Sequence, residues 1–181
     1  MKRELVTPSG VERRFADDEI IVSKTDLRGI ITYANDVFVR VSAYEEHELV
    51  GTPHSIIRHP DMPRAVFRLL WDTLQAGDEL FAYVVNLAAD GAHYWVLAHI
   101  TPTRSASGTI TGYHSNRRTV DPAVIQQVAP LYAALLAEEQ RHAHPVAAID
   151  ASLSLLQQVL EERGQTYDEL VWSLEPQPTT T

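Results

Sequence analysis

Hydrophobic positions along this chain change period several times. Glu19–Lys24 and Ile30–Ala34 are β-rich runs around the turn Asp26-Leu27-Arg28-Gly29, which predicts a hairpin with a glycine-containing connection. Asn35 then stands where an N-cap belongs, with Val37, Phe38 and Val41 at helical spacing behind it. Tyr44 to Gly51 reads as another short helical piece, stopped by Gly51 and Pro53. From Pro63 to Ala76 the apolar residues Ala65, Val66, Leu69, Leu70 and Leu74 recur at spacings of three and four, and Gly77 supplies the stop. Three further β-rich runs follow, Leu80–Ala88, His93–Thr101 and Thr109–Arg118. The first two are joined by Ala89-Asp90-Gly91, a strong hairpin signal, and the last two by Ser105-Ala106-Ser107-Gly108. Five strands with helices inserted after the second imply an α+β domain, an antiparallel sheet with short helices on one face.

Beyond this the period becomes helical. Asp121-Pro122 opens a helix as cap and first residue, and Pro130 is expected to kink or divide it. Pro145 starts another, in which Val146, Ile149, Leu153, Leu156 and Leu160 form an a/d stripe over about two heptads. That is short of a coiled coil and suits a cover over the sheet or a dimer seam. Thr166 and Glu169 make a capping box for a last short helix. The expected organisation is a cap over 1–18, a sensor-sized domain over 19–120, a helical extension over 121–175 and a disordered tail over 176–181.

Charge sharpens this division. The net charge is −9, and residues 121–181 hold Arg141 and Arg163 against nine acids. That asymmetry argues against nucleic-acid binding and fits a solvated helical face or a basic partner. No stretch reaches the roughly 18 apolar residues of a membrane span, so no direct membrane insertion is expected. The N-terminus lacks a signal-peptide run, and a cytoplasmic location is the simplest expectation. The absence of cysteine excludes disulfides and cysteine-ligated metal.

The chemistry concentrates in Arg58-His59-Pro60-Asp61-Met62-Pro63. Two prolines fix the backbone around a cation, an imidazole and a carboxylate. Such a loop suits a polar ligand, or else a structural corner in which Asp61 caps the following helix and pairs with Arg58. No nucleophile–base constellation, phosphate loop or zinc motif appears, so no enzyme activity is expected.

The element order resembles a PAS domain, and the motifs are more specific than the order. Asn35, Pro53-His54, the Arg58–Pro63 string, Phe67, Trp71, Thr73-Leu74 and Gly77 resemble the PAS sensor domains of the aerotaxis-receptor type. So do Asn86, Gly91, His93-Tyr94-Trp95-Val96, Pro102 and Gly112-Tyr113. The resemblance runs from about Ile20 to Leu135. It implies a PAS fold, noncovalent FAD, redox or energy sensing, and output by contact with a chemoreceptor-type transducer; a homodimer is the expected assembly. It also implies cofactor-site positions at Asn35, Arg58, His59, Asp61 and Asn86, with His54 alongside. The chain departs from the family at Leu80, where a tryptophan is usual, and at Ala82, where glycine is usual. Leu80 therefore removes an aromatic wall of the expected cofactor site, which Phe81 or Tyr83 would have to replace. Trp71 and Trp95 read as core aromatics. Two other readings stand beside the first: a haem b gas sensor using His54 or His59, and a cofactor-free interaction module.

Overall fold

In the computed structural model, residues 6–174 are described. The expected tail, 176–181, and the first five residues of the expected cap lie outside the described residues. The strands are β1 (Ile21–Thr25), β2 (Ile31–Ala34), β3 (Leu80–Leu87), β4 (His93–Arg104) and β5 (Ile110–Thr119). They form one antiparallel sheet in the order β2-β1-β5-β4-β3. Between β2 and β3 lie α1 (Asp36–Ser42), α2 (Glu46–Leu49), a 3-10 turn at His54–Ile57 and α3 (Arg64–Ala76). The extension contributes α4 (Pro122–Gln140), α5 (Pro145–Arg163) and α6 (Tyr167–Leu174).

Local chemistry explains these boundaries. Asn35 caps α1, its Oδ1 accepting from the Phe38 N–H at 3.1 Å. The same oxygen accepts from Val22 N–H at 2.9 Å, and its Nδ2 donates to the Ile20 carbonyl, so one side chain ties α1 to β1. Helix α3 ends where Gly77 turns left-handed at φ 96°, a conformation that strains residues with a Cβ. Gly91 does the same in the β3–β4 turn at φ 87°, and a Cβ there would lie 2.5 Å from the Thr7 carbonyl oxygen. The N-terminal arm packs on this turn through Ser9 N–H to Gly91 O and His93 N–H to Val11 O.

Pairing register sorts the strand residues into two faces. Leu80, Ala82, Val84 and Asn86 of β3 share the inner face with Tyr94, Val96, Ala98 and Ile100 of β4 and with Tyr113, Ser115 and Arg117 of β5. Phe38, Val66 and Leu74 close the core from the helix side, each at most 1% exposed. Burying a side chain of this size contributes about 1.5–3 kcal/mol.

On β3 and β4 the outer face is covered by α4 and α6. Tyr132 donates its hydroxyl to the Tyr83 carbonyl, and Tyr83 donates its own to Val171 O at 3.0 Å. Trp95 packs against Tyr132, and Phe81 against Trp172. The a/d stripe on α5 is therefore placed differently from expectation. Its buried line is Ala148, Ser152 and Leu156, it packs on α3 and α4, and Val146 is 69% exposed. Pro130 does not divide α4. It lies on the exposed side, where the carbonyl it leaves unbonded meets water, while Val128, Tyr132 and Leu135 anchor the helix. The capping box of α6 forms as expected, with Thr166 N–H on Glu169 Oε2 at 2.7 Å and Glu169 N–H on Thr166 Oγ1 at 3.3 Å.

Candidate functional site

A cavity of about 340 Å³ lies between the inner face of the sheet and the helices. This is near the lower end of the roughly 300–1,000 Å³ typical of small-molecule sites. Most of its wall is apolar: Val84, Ala98 and Ile100 from the sheet, Phe67, Leu70, Trp71 and Leu74 from α3, and Ile57 from the 3-10 turn. Trp71 meets Tyr113 edge-on at 5.4 Å, and both line the space. The aromatic wall missing at Leu80 is thus supplied from the α3 side. Phe81 and Tyr83 do not supply it, because strand alternation sends them to the outer face. Trp95 is a packing residue on that face, whereas Trp71 is a cavity residue.

The polar lining is sparse and incompletely paired. Arg117 is 2% exposed, with its guanidinium 4.4 Å over the Phe38 ring. One terminal nitrogen donates to Ser23 Oγ; Nε and Nη1 have no hydrogen-bond partner among the described residues. Burial lowers its pKa to about 10, with nearby Tyr94 opposing, so it stays charged at neutral pH. Asn86, 4% exposed, likewise leaves Nδ2 unpaired. Buried polar groups are nearly always paired, and an unpaired buried charge costs several kcal/mol. Two such groups lining one cavity mark it as a site for a ligand with acceptors.

His54 completes this end. Its Nε2 is 3.1 Å from Ser23 Oγ and its ring stacks on Phe38. Burial first, and then the Arg117 cation, drive its pKa to about 3, so the imidazole is neutral. Ser23 therefore sits between a cation and a neutral ring in a short polar chain.

The Arg58–Pro63 loop divides between two sides. The Arg58 backbone bridges Asn86 on the free edge of β3, and its guanidinium lies 4.5 Å from the Phe67 ring. Arg58 lines the cavity; His59 and Asp61 do not. His59 is 6% exposed, accepts the Asp61 N–H on Nδ1 at 3.1 Å, and packs against His93. Burial lowers its pKa, partly offset by Asp61. The expected Asp61–Arg58 pair does not form, nor does Asp61 cap α3. That role falls to Glu139 of α4, whose Oε1 accepts the Ala65 N–H at 3.1 Å. A carboxylate from 74 residues away outcompetes the local one because α4 seats it, 8% exposed, over the helix end.

Of the residues predicted for the site, the fold brings His54, Arg58 and Asn86 to the cavity. Asn35 is engaged as the α1 cap, Leu80 is buried outside the lining, and His59 and Asp61 face away. Ser23, Trp71, Tyr113 and Arg117 are cavity residues that sequence reasoning missed as such. Strand parity carried the signal for Arg117: it shares a face with Tyr113 and Ser115, and Arg118 does not. Among the described residues no group of three metal-ligating side chains gathers, and no helix is long and apolar enough to cross a membrane.

Comparison with known proteins agrees with this geometry. A family profile described as PAS fold matches residues 31–117. The chain is 47% identical to the aerotaxis receptor of Escherichia coli (strain K12) over 120 residues, 66% of this chain and 24% of the receptor. It is 30% identical to the nitrogen fixation regulatory protein of Klebsiella pneumoniae over 101 residues, 56% of this chain and 20% of that protein. The chain thus spans a quarter or less of the length of these relatives. Among solved structures, a light-oxygen-voltage domain studied with a flavin analogue has a TM-score of 0.53 at 20% identity, covering 68% of this chain and 87% of that one. A PAS domain of a protein from Colwellia psychrerythraea has a TM-score of 0.52 at 17% identity, covering 56% and 86%. These structural likenesses concern the fold alone. Sheet order, inserted helices and matched residues together give residues 31–117 a PAS fold, similar in sequence to part of the aerotaxis receptor.

Proposed function

We propose that this domain is a cytoplasmic flavin-binding sensor, with FAD as the flavin, that reports redox or energy state to a separate signalling protein by contact. The observation that carries the reading is the pair of buried, unpaired donors, Arg117 and Asn86, on an otherwise apolar cavity walled by Trp71, Tyr113 and Phe67. A flat aromatic ring edged with carbonyl and nitrogen acceptors complements that set. A flavin would supply reversible electron transfer; the protein's part is to hold the ring and tune its electronics. The similarity to the aerotaxis receptor supports the same reading.

Asn86 offers both donor and acceptor, so it suits a ring edge whose hydrogen bonding changes with redox state. Its backbone joins the Arg58 loop, and β3 carries Tyr83 under α4 and α6 on the other face. A change at Asn86 therefore has a short mechanical route to the extension, where a transducer or second copy would dock. The haem reading draws less support: His54 Nε2 is engaged by Ser23, and His59 lies outside the cavity.

The visible absorption spectrum of the purified protein tests this. Flavin bands are expected, either as isolated or after incubation with FAD. A protein that stays colourless with both FAD and FMN overturns the reading, and a Soret band replaces it with the haem one.

A further inference from the structure

Helix α3 forms one side of the inner cavity through Phe67, Leu70, Trp71 and Leu74, yet its own sequence starts it poorly. Its N-cap is Pro63, which has no side-chain oxygen to accept the free N–H groups of a first turn. That turn holds no acid, and it opens on Arg64, a cation at the positive end of the helix dipole. The acceptor comes from the extension: Glu139 Oε1 takes the Ala65 N–H at 3.1 Å, with Glu139 only 8% exposed. We infer that Glu139 is a positioning residue for the cavity, holding α3 over the ligand space and so making α4 docking and cavity occupancy depend on each other. The inference rests on the flavin reading above for the identity of the occupant.

Helix α4 has the form such a link needs. Val128, Tyr132, Leu135 and Glu139 recur at spacings of three and four, so its buried residues share one face. Tyr132 bonds the Tyr83 carbonyl of β3, and Glu139 bonds α3. Seven residues separate the two, about 10 Å of helix. One rod thus grips the sheet at one point and the helical wall of the cavity at the other. Helix α5 braces it, with Ser152 Oγ donating to the Leu135 carbonyl at 3.2 Å, and packs on α3 as well. The carboxylate also acts on Arg58, a cavity-lining cation whose charged form it favours against burial and Arg64. A buried carboxylate that loses its donor is costly, so this contact is made or lost as a unit.

The coupling has a sign. An occupant packed against Phe67 and Trp71 holds α3 in place and keeps Ala65 under Glu139. By reciprocity, losing the Glu139 contact weakens the occupant by the same factor that the occupant strengthens the contact. Emptying the cavity therefore loosens α4 first at its Glu139 end, a route to the extension separate from the one through Asn86 and β3.

The full chain and its Glu139→Ala, Glu139→Gln and Val128→Ala variants test this, with circular dichroism as the check on folding. Glu139→Gln keeps an acceptor for the Ala65 N–H. Val128 is 2% exposed on α4, about 16 Å along the helix from Glu139, so its variant weakens α4 and leaves the cap in place. Without FAD, hydrogen exchange at amides 65–70 is expected to speed up in Glu139→Ala and not in Val128→Ala. FAD binding is expected to weaken about three- to tenfold in Glu139→Ala, part of the weight of one charge-assisted hydrogen bond. Glu139→Gln should fall between that variant and wild type, and Val128→Ala should bind as wild type does. FAD is expected to slow exchange at amides 136–140 of wild type, an arm that needs no variant to fold. Equal FAD affinity in wild type and Glu139→Ala, an equal loss in Val128→Ala, or no protection of 136–140 overturns the positioning role and leaves a flavin-binding cavity intact. Unchanged exchange at 65–70 in unliganded Glu139→Ala overturns it whether or not a flavin binds. If wild type binds no FAD while that exchange does rise, the flavin reading fails and the hold of Glu139 on α3 stands.

Discussion

The two faces of the sheet treat buried polar groups in opposite ways. On the outer face, Tyr83 and Tyr132 hand their hydroxyls to backbone carbonyls across the interface with α4 and α6, and among the described residues His114 Nε2, away from that interface, is the buried side-chain atom left unpaired. On the inner face, Arg117 and Asn86 retain unpaired donors beside an open cavity. The difference is that the outer-face hydroxyls are paired within the chain, whereas the cavity-lining donors of the inner face await acceptors that, on the proposed reading, a flavin would supply.

Substitutions on the two faces should therefore separate stability from binding. The largest effect on folding is expected from Tyr132→Ala, which opens the outer interface; a loss of about 3–5 kcal/mol should appear as a lower urea midpoint. Acid should produce the next largest effect. His54 titrates near 3 folded and near 6.5 unfolded, so the unfolded state binds more protons between those values. Stability is then complete above about pH 6.5 and falls as the pH drops toward 3. Thermal melts from pH 7 to pH 4 should show a fall that His54→Gln reduces. Arg117→Met should behave unlike either. Without ligand the domain should be no less stable, since an unpaired buried cation is replaced by an apolar chain. Flavin affinity should fall by about 10–100-fold, the weight of charge-assisted hydrogen bonds. Asn86→Ala should cost about tenfold in flavin affinity through a neutral amide, with little change in the unliganded melt. An Arg117→Met domain that loses several kcal/mol without ligand would collapse the contrast between the faces.

Much of the fold was legible because local signals agreed with one another. The Asn35 cap, the Asp90-Gly91 turn and the Thr166–Glu169 box each announced an element that forms. The errors came from tertiary partners. Pro130 looked like a break, yet the packing of Val128, Tyr132 and Leu135 carries α4 through it. Asp61 looked like the cap for α3, yet Glu139 takes the role from a remote helix. The site was half legible. His54, Arg58 and Asn86 sit in a recognisable motif context, whereas Arg117 is one of two consecutive arginines in a strand, and only the register of β5 against β4 turns it inward. Leu80 drew attention as a missing aromatic wall, but the compensating Trp71 comes from a different element.

The claim that the inner face is completed by a flavin is tested most directly by titrating flavin-free wild type and Arg117→Met with FAD and following flavin fluorescence. Wild type should give a saturable change at one equivalent, and Arg117→Met should bind at least about tenfold more weakly while melting at the same temperature or higher when unliganded. No saturable binding by wild type, or equal affinity in the variant, would contradict it.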